Sequence, residues 1–276
     1  MADHEVFARF EREARFIPNW VGALTQREFF SPALESATDF PRLRPPPNDD
    51  QTYFEWIDVL EAVTTARGRF TIYELGAGIG VWSVNAVLAL RAYSGLPYRV
   101  VAVEAEPTHF LWMQEHFRAN GLNSRWCRRI HAAVWDTDGE AEFYAGRPAD
   151  WYGQTLVDVA GPGLNHDVVN VKTVTLNRLL RGTTCVDLLH LDIQGAELRV
   201  LAAAAASLAP VRRVHIATHS AEIESGLRKL FASLGWSCVN DYGLQTESRT
   251  PWGRIRFQDG IQTWDNPAAM THASQS

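Results

Sequence analysis

The chain is predicted to fold as an α/β unit around a mostly parallel, seven-stranded sheet, with helices on both faces and a C-terminal antiparallel hairpin. Three observations predict it. From Phe70 onward, short apolar runs alternate with helix-length amphipathic segments, the rhythm that builds βαβ units. The first of these runs leads directly into a glycine-rich turn that opens a helical pattern. The 276 residues are 46% hydrophobic and 21% charged, which is enough apolar surface to bury a core of that kind.

The N-terminal part reads differently. Phe7, Phe10 and Ala14 recur at helical spacing, so a short amphipathic helix is expected over 3–16, ended by Pro18. Pro32, Pro41 and the run Pro45-Pro46-Pro47 cannot donate helix or ladder hydrogen bonds, and residues 31–50 read as a connector. Phe54, Trp56, Ile57, Leu60 and Val63 then mark a helix that starts near Thr52 and stops at Gly68. The expected division is a helical extension with a Pro-rich connector over 1–50, a main domain over 51–266 and a tail over 267–276.

In the main domain, strands are expected at 70–75, 99–104, 130–135, 141–144, 168–176, 188–193 and 211–219. Helices are expected at 81–93, 108–120, 196–208 and 220–234, and a final hairpin pairs 237–242 with 254–258. Near-continuous Val, Ile and Leu runs fit strands covered on both faces.

Composition excludes several classes. With 26 Lys+Arg against 32 Asp+Glu the net charge is −6, and no basic stripe is present, so nucleic acid is not an expected partner. No apolar run reaches the length of a membrane span. The first residues lack the basic and apolar regions of a signal peptide, so a cytoplasmic protein is expected. Cys127, Cys185 and Cys238 have no metal or disulfide spacing and read as reduced, mostly buried thiols.

The segment Tyr73-Glu74-Leu75-Gly76-Ala77-Gly78-Ile79-Gly80 carries the first functional signal. Glycines let the chain turn sharply and let a ligand approach the backbone. The G-x-G-x-G spacing departs from the G-x-G-x-x-G of dinucleotide binders. Glu74 precedes the first glycine by two residues; it repels a pyrophosphate but suits an ammonium. Glu104 ends the next strand, 24 residues after Gly80, where an acid accepts hydrogen bonds from ribose hydroxyls. Together these describe a pocket for a nucleoside with a cationic amino-acid tail, S-adenosylmethionine rather than NAD.

At this point the sequence resembles the class I S-adenosylmethionine-dependent methyltransferases, and within them the FkbM-type family. The resemblance covers roughly 70–234. It rests on YELGAGIG at 73–80, VVAVEAEP at 100–107, HAAVWDTDGEAEF at 131–143, VKTVTLNRLL at 171–180 and VDLLHLDIQGAELRVL at 186–201. The family's K-x-D-x-E-G-x-E motif reads here His190-Leu191-Asp192-Ile193-Gln194-Gly195-Ala196-Glu197, with His for Lys and Gln for Glu. The resemblance implies a Rossmann-like fold and methyl transfer to a hydroxyl of a natural product, sugar or lipid-like acceptor, with no obligatory metal. Carried over by position, Glu74 faces the methionine ammonium, Gly76, Ala77 and Gly78 lie against the methionine part, and Glu104 holds the ribose. Ala105, Ala133 and Val134 border the adenine.

In an open α/β sheet the ligand lies beyond the carboxyl ends of the strands. Asp192 and His219 end two strands there, and in the usual strand order they are neighbours. Imidazole titrates near neutrality, so His219 is the candidate base; Asp192 orients it or contacts the cofactor. No second clustered carboxylate stands at a matching strand end, where a hard-cation site would need several oxygen ligands; Glu197, on the following helix, reads as a cap or an ion pair. His190 shares a strand face with Asp192 and is a candidate substrate contact. Trp151, Tyr152 and Gln154, in a long connection, are candidate substrate contacts as well. The readings left open are O-methylation of a small molecule, N-methylation, or a cofactor-binding module without turnover. A homodimer is a further expectation.

Overall fold

The computed structural model describes residues 15–29, 51–146, 154–161 and 167–272. Most of the expected helix over 3–16 and the Pro-rich connector lie outside these residues. Phe16 itself is extended: β1 (Phe16–Pro18) pairs antiparallel with β2 (Leu24–Gln26). The Asn120 side chain anchors this ribbon, accepting from Leu24 N at 2.7 Å and donating to Leu24 O at 2.9 Å.

Helix α1 (Thr52–Thr65) presents Phe54, Trp56, Val59, Ala62 and Val63 to the core. Next come β3 (Phe70–Leu75), α2 (Val81–Tyr93), β4 (Tyr98–Glu104), α3 (Pro107–Ala119) and β5 (Cys127–His131). Every residue of β3 is buried, as a strand covered on both faces must be. The expected strand over 130–135 is two strands. The chain leaves the main sheet after His131, and β6 (Ala133–Trp135) enters a second, three-stranded sheet of order β6-β8-β7. Its other members are β7 (Gly139–Ala145) and β8 (Asp167–Thr175), antiparallel to each other. The expected strand over 168–176 therefore belongs to this annex and not to the central sheet.

After the short helices α4 (Val157–Ala160) and α5 (Leu176–Leu180) the chain returns to the centre. There follow β9 (Leu188–Leu191), α6 (Glu197–Ala203), β10 (Arg213–Thr218) and α7 (Ala221–Ser233). The C-terminal strands are β11 (Ser237–Tyr242), β12 (Glu247–Thr250), β13 (Gly253–Arg256) and β14 (Gly260–Asp265). A closing helix, α8 (Pro267–His272), occupies the start of the expected tail.

The seven-stranded sheet has the order β11-β14-β10-β9-β3-β4-β5. Pairs from β10 to β5 are parallel, and β14 joins β10 and β11 antiparallel. The final hairpin in the sheet is thus β11 with β14. The expected partner segment near 254–258 instead holds β13, which pairs with β12 in a separate ribbon. The difference follows from burial. β14 is buried over five of its six residues, whereas β13 buries only Ile255. Of the three free thiols, Cys127 is buried, but Cys185 and Cys238 are exposed, against expectation. Among the described residues no helix is long and apolar enough to cross a membrane.

Candidate active site

The carboxyl ends of β3, β4 and β9 meet at the glycine turn, and one cleft opens there. Its lining includes Glu74, Gly76, Ala77, Gly78, Glu104, Ala105, Ala133, Val134, Gln154, His190 and Asp192. His219 is not among the lining residues, although it contacts Asp192. Trp151 and Tyr152 lie outside the described residues. Sequence reasoning gave no site role to His109, Phe143, Thr155 or Gln194, which also line the cleft, although Gln194 is legible as a departure in the motif at 190–197. They sit on a helix, the annex and two loops, and no pattern in the chain brings them together.

The turn is built by close approach. Gly76 has φ +73°, and a Cβ placed on it would lie 1.7 Å from the carbonyl oxygen of Asp192. Gly80 has φ +75°, and its Cβ would fall 2.3 Å from the Phe117 ring. Only glycine satisfies both the backbone conformation and the space.

The two acids that frame the turn are buried. Glu74 Oε1 accepts from Trp82 N at 3.0 Å and Oε2 from Ser83 N at 2.9 Å, so its carboxylate caps α2, whose own N-cap, Gly80, has no side chain. Burial pushes its pKa up to about 7, against the pull of those hydrogen bonds. Glu104 Oε2 accepts from Gly78 N at 2.6 Å and Oε1 from Glu106 N at 2.7 Å, tying the glycine turn to the start of α3. Burial raises Glu104 to about 7 as well.

Beyond β9 the polar groups converge. The Asp192 side chain is 40% exposed, and its Oδ1 accepts from Gln194 Nε2 at 2.8 Å and lies 3.4 Å from His219 Nε2. His219 Nδ1 lies 2.9 Å from Glu197 Oε1. That same oxygen accepts from Ile193 N at 3.2 Å and Gly195 N at 3.0 Å. A second carboxylate thus stands beside the Asp192–His219 pair, not at a strand end but in the first turn of α6, where Glu197 serves as the cap and ion pair expected of it. Gln194 holds φ +50°, a conformation that non-glycine residues seldom adopt and that clusters at functional sites.

Charge follows from these contacts. Burial lowers the His219 pKa, but the hydrogen bond to Glu197 and the charges of Glu197 and Asp192 outweigh it and raise the pKa to about 9. Partial enclosure raises Asp192, opposed by the His219 charge. His190 is driven down to about 3 by burial and by the charge of His215, so its ring is neutral.

A parallel sheet with this glycine turn, two buried acids at successive strand ends and a polar third strand end is the architecture of the Rossmann-like methyltransferase class. The methyltransferase FkbM domain model matches residues 74–235, and the chain belongs to that family. A protein of Jannaschia sp. (strain CCS1) that carries a methyltransferase name is 28% identical over 197 residues, which is 68% of this chain and 69% of that one. A solved FkbM methyltransferase of Methylobacillus flagellatus KT aligns with TM-score 0.48 and 11% identity, over 73% of this chain and 45% of that one. The chain thus spans under half the length of that structure. An O-methyltransferase of Bacillus cereus in complex with SAH aligns with TM-score 0.43 and 15% identity, over 80% and 84% of the two chains.

Proposed function

We propose that the chain transfers a methyl group from S-adenosylmethionine to a small-molecule acceptor, with a hydroxyl as the favoured nucleophile. The observation that carries this reading is the Asp192–His219–Glu197 chain of contacts at the rim of a cleft framed by Glu74 and Glu104. The residues fit the cofactor. Glu74 is suited to its ammonium and Glu104 to its ribose hydroxyls, and Ala105, Ala133 and Val134 form a small apolar wall for the base.

When bound, the cofactor supplies a methyl already activated on a sulfonium, so the protein's work is alignment and proton removal. A ring with a pKa of about 9 is protonated at neutral pH and does not accept a proton. We therefore exchange the roles expected from sequence. Asp192 accepts the acceptor proton, and His219, held by Glu197, is the positive partner that orients and charges it. Asp192 Oδ1 is engaged by Gln194 and faces His219, which leaves Oδ2 for the acceptor.

N-methylation is the second reading, favoured by one observation. The charge of Glu55 adds to those of Glu74 and Asp192 around the cleft and raises both pKa values, a setting that suits a cationic amine.

Incubation of the protein with methyl-labelled S-adenosylmethionine and fractionated small molecules tests the proposal. Label should appear in a small-molecule fraction, and Asp192→Asn should abolish transfer while cofactor binding persists. Cofactor binding by the wild type with no transfer to any fraction would instead support a module without turnover.

A further inference from the structure

Beside the cleft, which His190 also lines, three residues from three different elements converge. We propose that Glu55, His190 and His215 form a site for one divalent transition cation of the zinc or iron(II) type. Glu55 comes from α1, His190 from β9 and His215 from β10, where the two histidines are register neighbours.

One ligand atom from each of the three lies within 4.8 Å of the others. His190 Nε2 is 3.4 Å from Glu55 Oε2. Two ligands each about 2.0–2.2 Å from a tetrahedral cation are separated by about 3.3–3.6 Å, so this pair is already at coordination spacing. Two imidazole nitrogens and a carboxylate oxygen select zinc, iron or cobalt over calcium or magnesium, which take oxygen sets.

The independent observation is a set of orphaned nitrogens. His190 is 3% exposed and His215 0%. Both ring nitrogens of His190 and Nε2 of His215 are buried with no hydrogen-bond partner. Burying such groups unpaired is costly, and a ligand that uses them removes the cost.

The outer contacts are those of a metal ligand. His215 Nδ1 lies 2.6 Å from Asp58 Oδ2, and Thr263 Oγ1 donates to the same oxygen at 2.5 Å. Arg213 Nη1 donates to Asp58 Oδ1 at 3.2 Å. A carboxylate on Nδ1 fixes the ring and leaves Nε2 as the coordinating nitrogen, the usual support behind a metal-bound histidine.

The two rings stack with centroids 4.9 Å apart and planes 7° apart. Parallel rings cannot both point a lone pair at one centre, so one must turn. His215 is locked by Asp58, whereas His190, with no hydrogen bond on either nitrogen, is the ring able to turn about its Cβ–Cγ bond. In the other acid–histidine cluster, Asp192–Glu197–His219, the facing oxygen is already engaged: Glu197 Oε1 accepts from two backbone N–H groups and faces the His219 ring.

Cobalt(II) titration of the full chain, stripped with a chelator, tests the site on binding alone, separate from any transfer activity. We expect one equivalent bound, a visible absorption band of a low-coordinate nitrogen–oxygen site, displacement by zinc and a rise in Tm on loading. Glu55→Gln and His215→Gln should each weaken binding at least tenfold, whereas Asp192→Asn should leave it unchanged. Should His215→Gln fail to fold, Glu55→Gln and His190→Gln decide. The proposal is overturned by no uptake at micromolar cobalt, by uptake unaffected in the Glu55 and histidine variants, or by uptake lost only in Asp192→Asn.

Discussion

Gly76 and Asp192 are in backbone contact: a Cβ on the glycine would stand 1.7 Å from the Asp192 carbonyl oxygen. The end of β3 and the end of β9 are thereby held together, with Asp192 N donating to Leu75 O at 3.0 Å. The cofactor turn and the proposed proton acceptor form one rigid piece.

Gly76→Ala should therefore fail on two counts. Its positive φ costs about 1–3 kcal/mol in a non-glycine residue, and the methyl overlaps backbone that cannot swing aside. Gly68→Ala is the control, because φ is +66° there with nothing within 4 Å of the added Cβ. Thermal unfolding should show a modest loss for Gly68→Ala and a much larger one for Gly76→Ala, which should also lose S-adenosylhomocysteine binding by calorimetry.

Glu104→Gln keeps the shape of the side chain and removes its charge. Each charge-assisted hydrogen bond is worth about 1.5–3 kcal/mol, so cofactor affinity should fall at least tenfold. Titration calorimetry showing unchanged affinity would remove Glu104 from the ribose assignment.

Cofactor affinity should rise with pH. Glu74 and Glu104 both titrate near 7, above the ordinary carboxylate value of 4.5, because they are buried. A cationic donor favours their ionised forms, so binding should strengthen from about pH 6 to 8 and then level off. Stability of the cofactor-free protein moves the other way. The folded carboxyls hold protons more tightly than the unfolded ones, so their contribution is present below about 4.5 and lost as pH rises through 7. Parallel measurements of affinity and Tm across this range check both signs.

The role of His219 is open to a pH–rate test. If its imidazolium supports Asp192, turnover should fall as pH rises through about 9. Glu197→Gln removes the main support of that raised pKa, so the alkaline limb should move to lower pH. A limb that stays in place would separate Glu197 from the mechanism. The stability that His219 gains from its acidic partners is complete below the ordinary histidine value of 6.5 and lost through about 9.

Asp58 joins α1 to the sheet. It takes His215, Thr263 and Arg213, and Arg213 also pairs with Asp265 through 2.7 and 3.0 Å contacts. Removing one partner of a buried charge network costs about 3–5 kcal/mol. Asp58→Asn should lower denaturant stability by that order, and a loss under about 1 kcal/mol would mean that solvent reaches the network.

The sheet, the glycine turn and the acids at 74 and 104 were readable from the chain because each is local. Strand runs, turn glycines and an acid at a strand end are encoded within a few residues of one another, and the parallel rhythm places their carboxyl ends on one edge. The break after His131 and the β11–β14 pairing were not readable, since they depend on which of several short strands finds a buried neighbour. Glu197 beside His219 and Glu55 beside His190 come from separate elements, and no spacing in the chain announces these pairings. Sequence alone determined the glycine turn and the two acids that frame the cleft, because each is encoded within a few residues of one strand end. Tertiary structure alone decided the charge on His219, because burial and the carboxylates around a ring, not its place in the chain, set where it titrates.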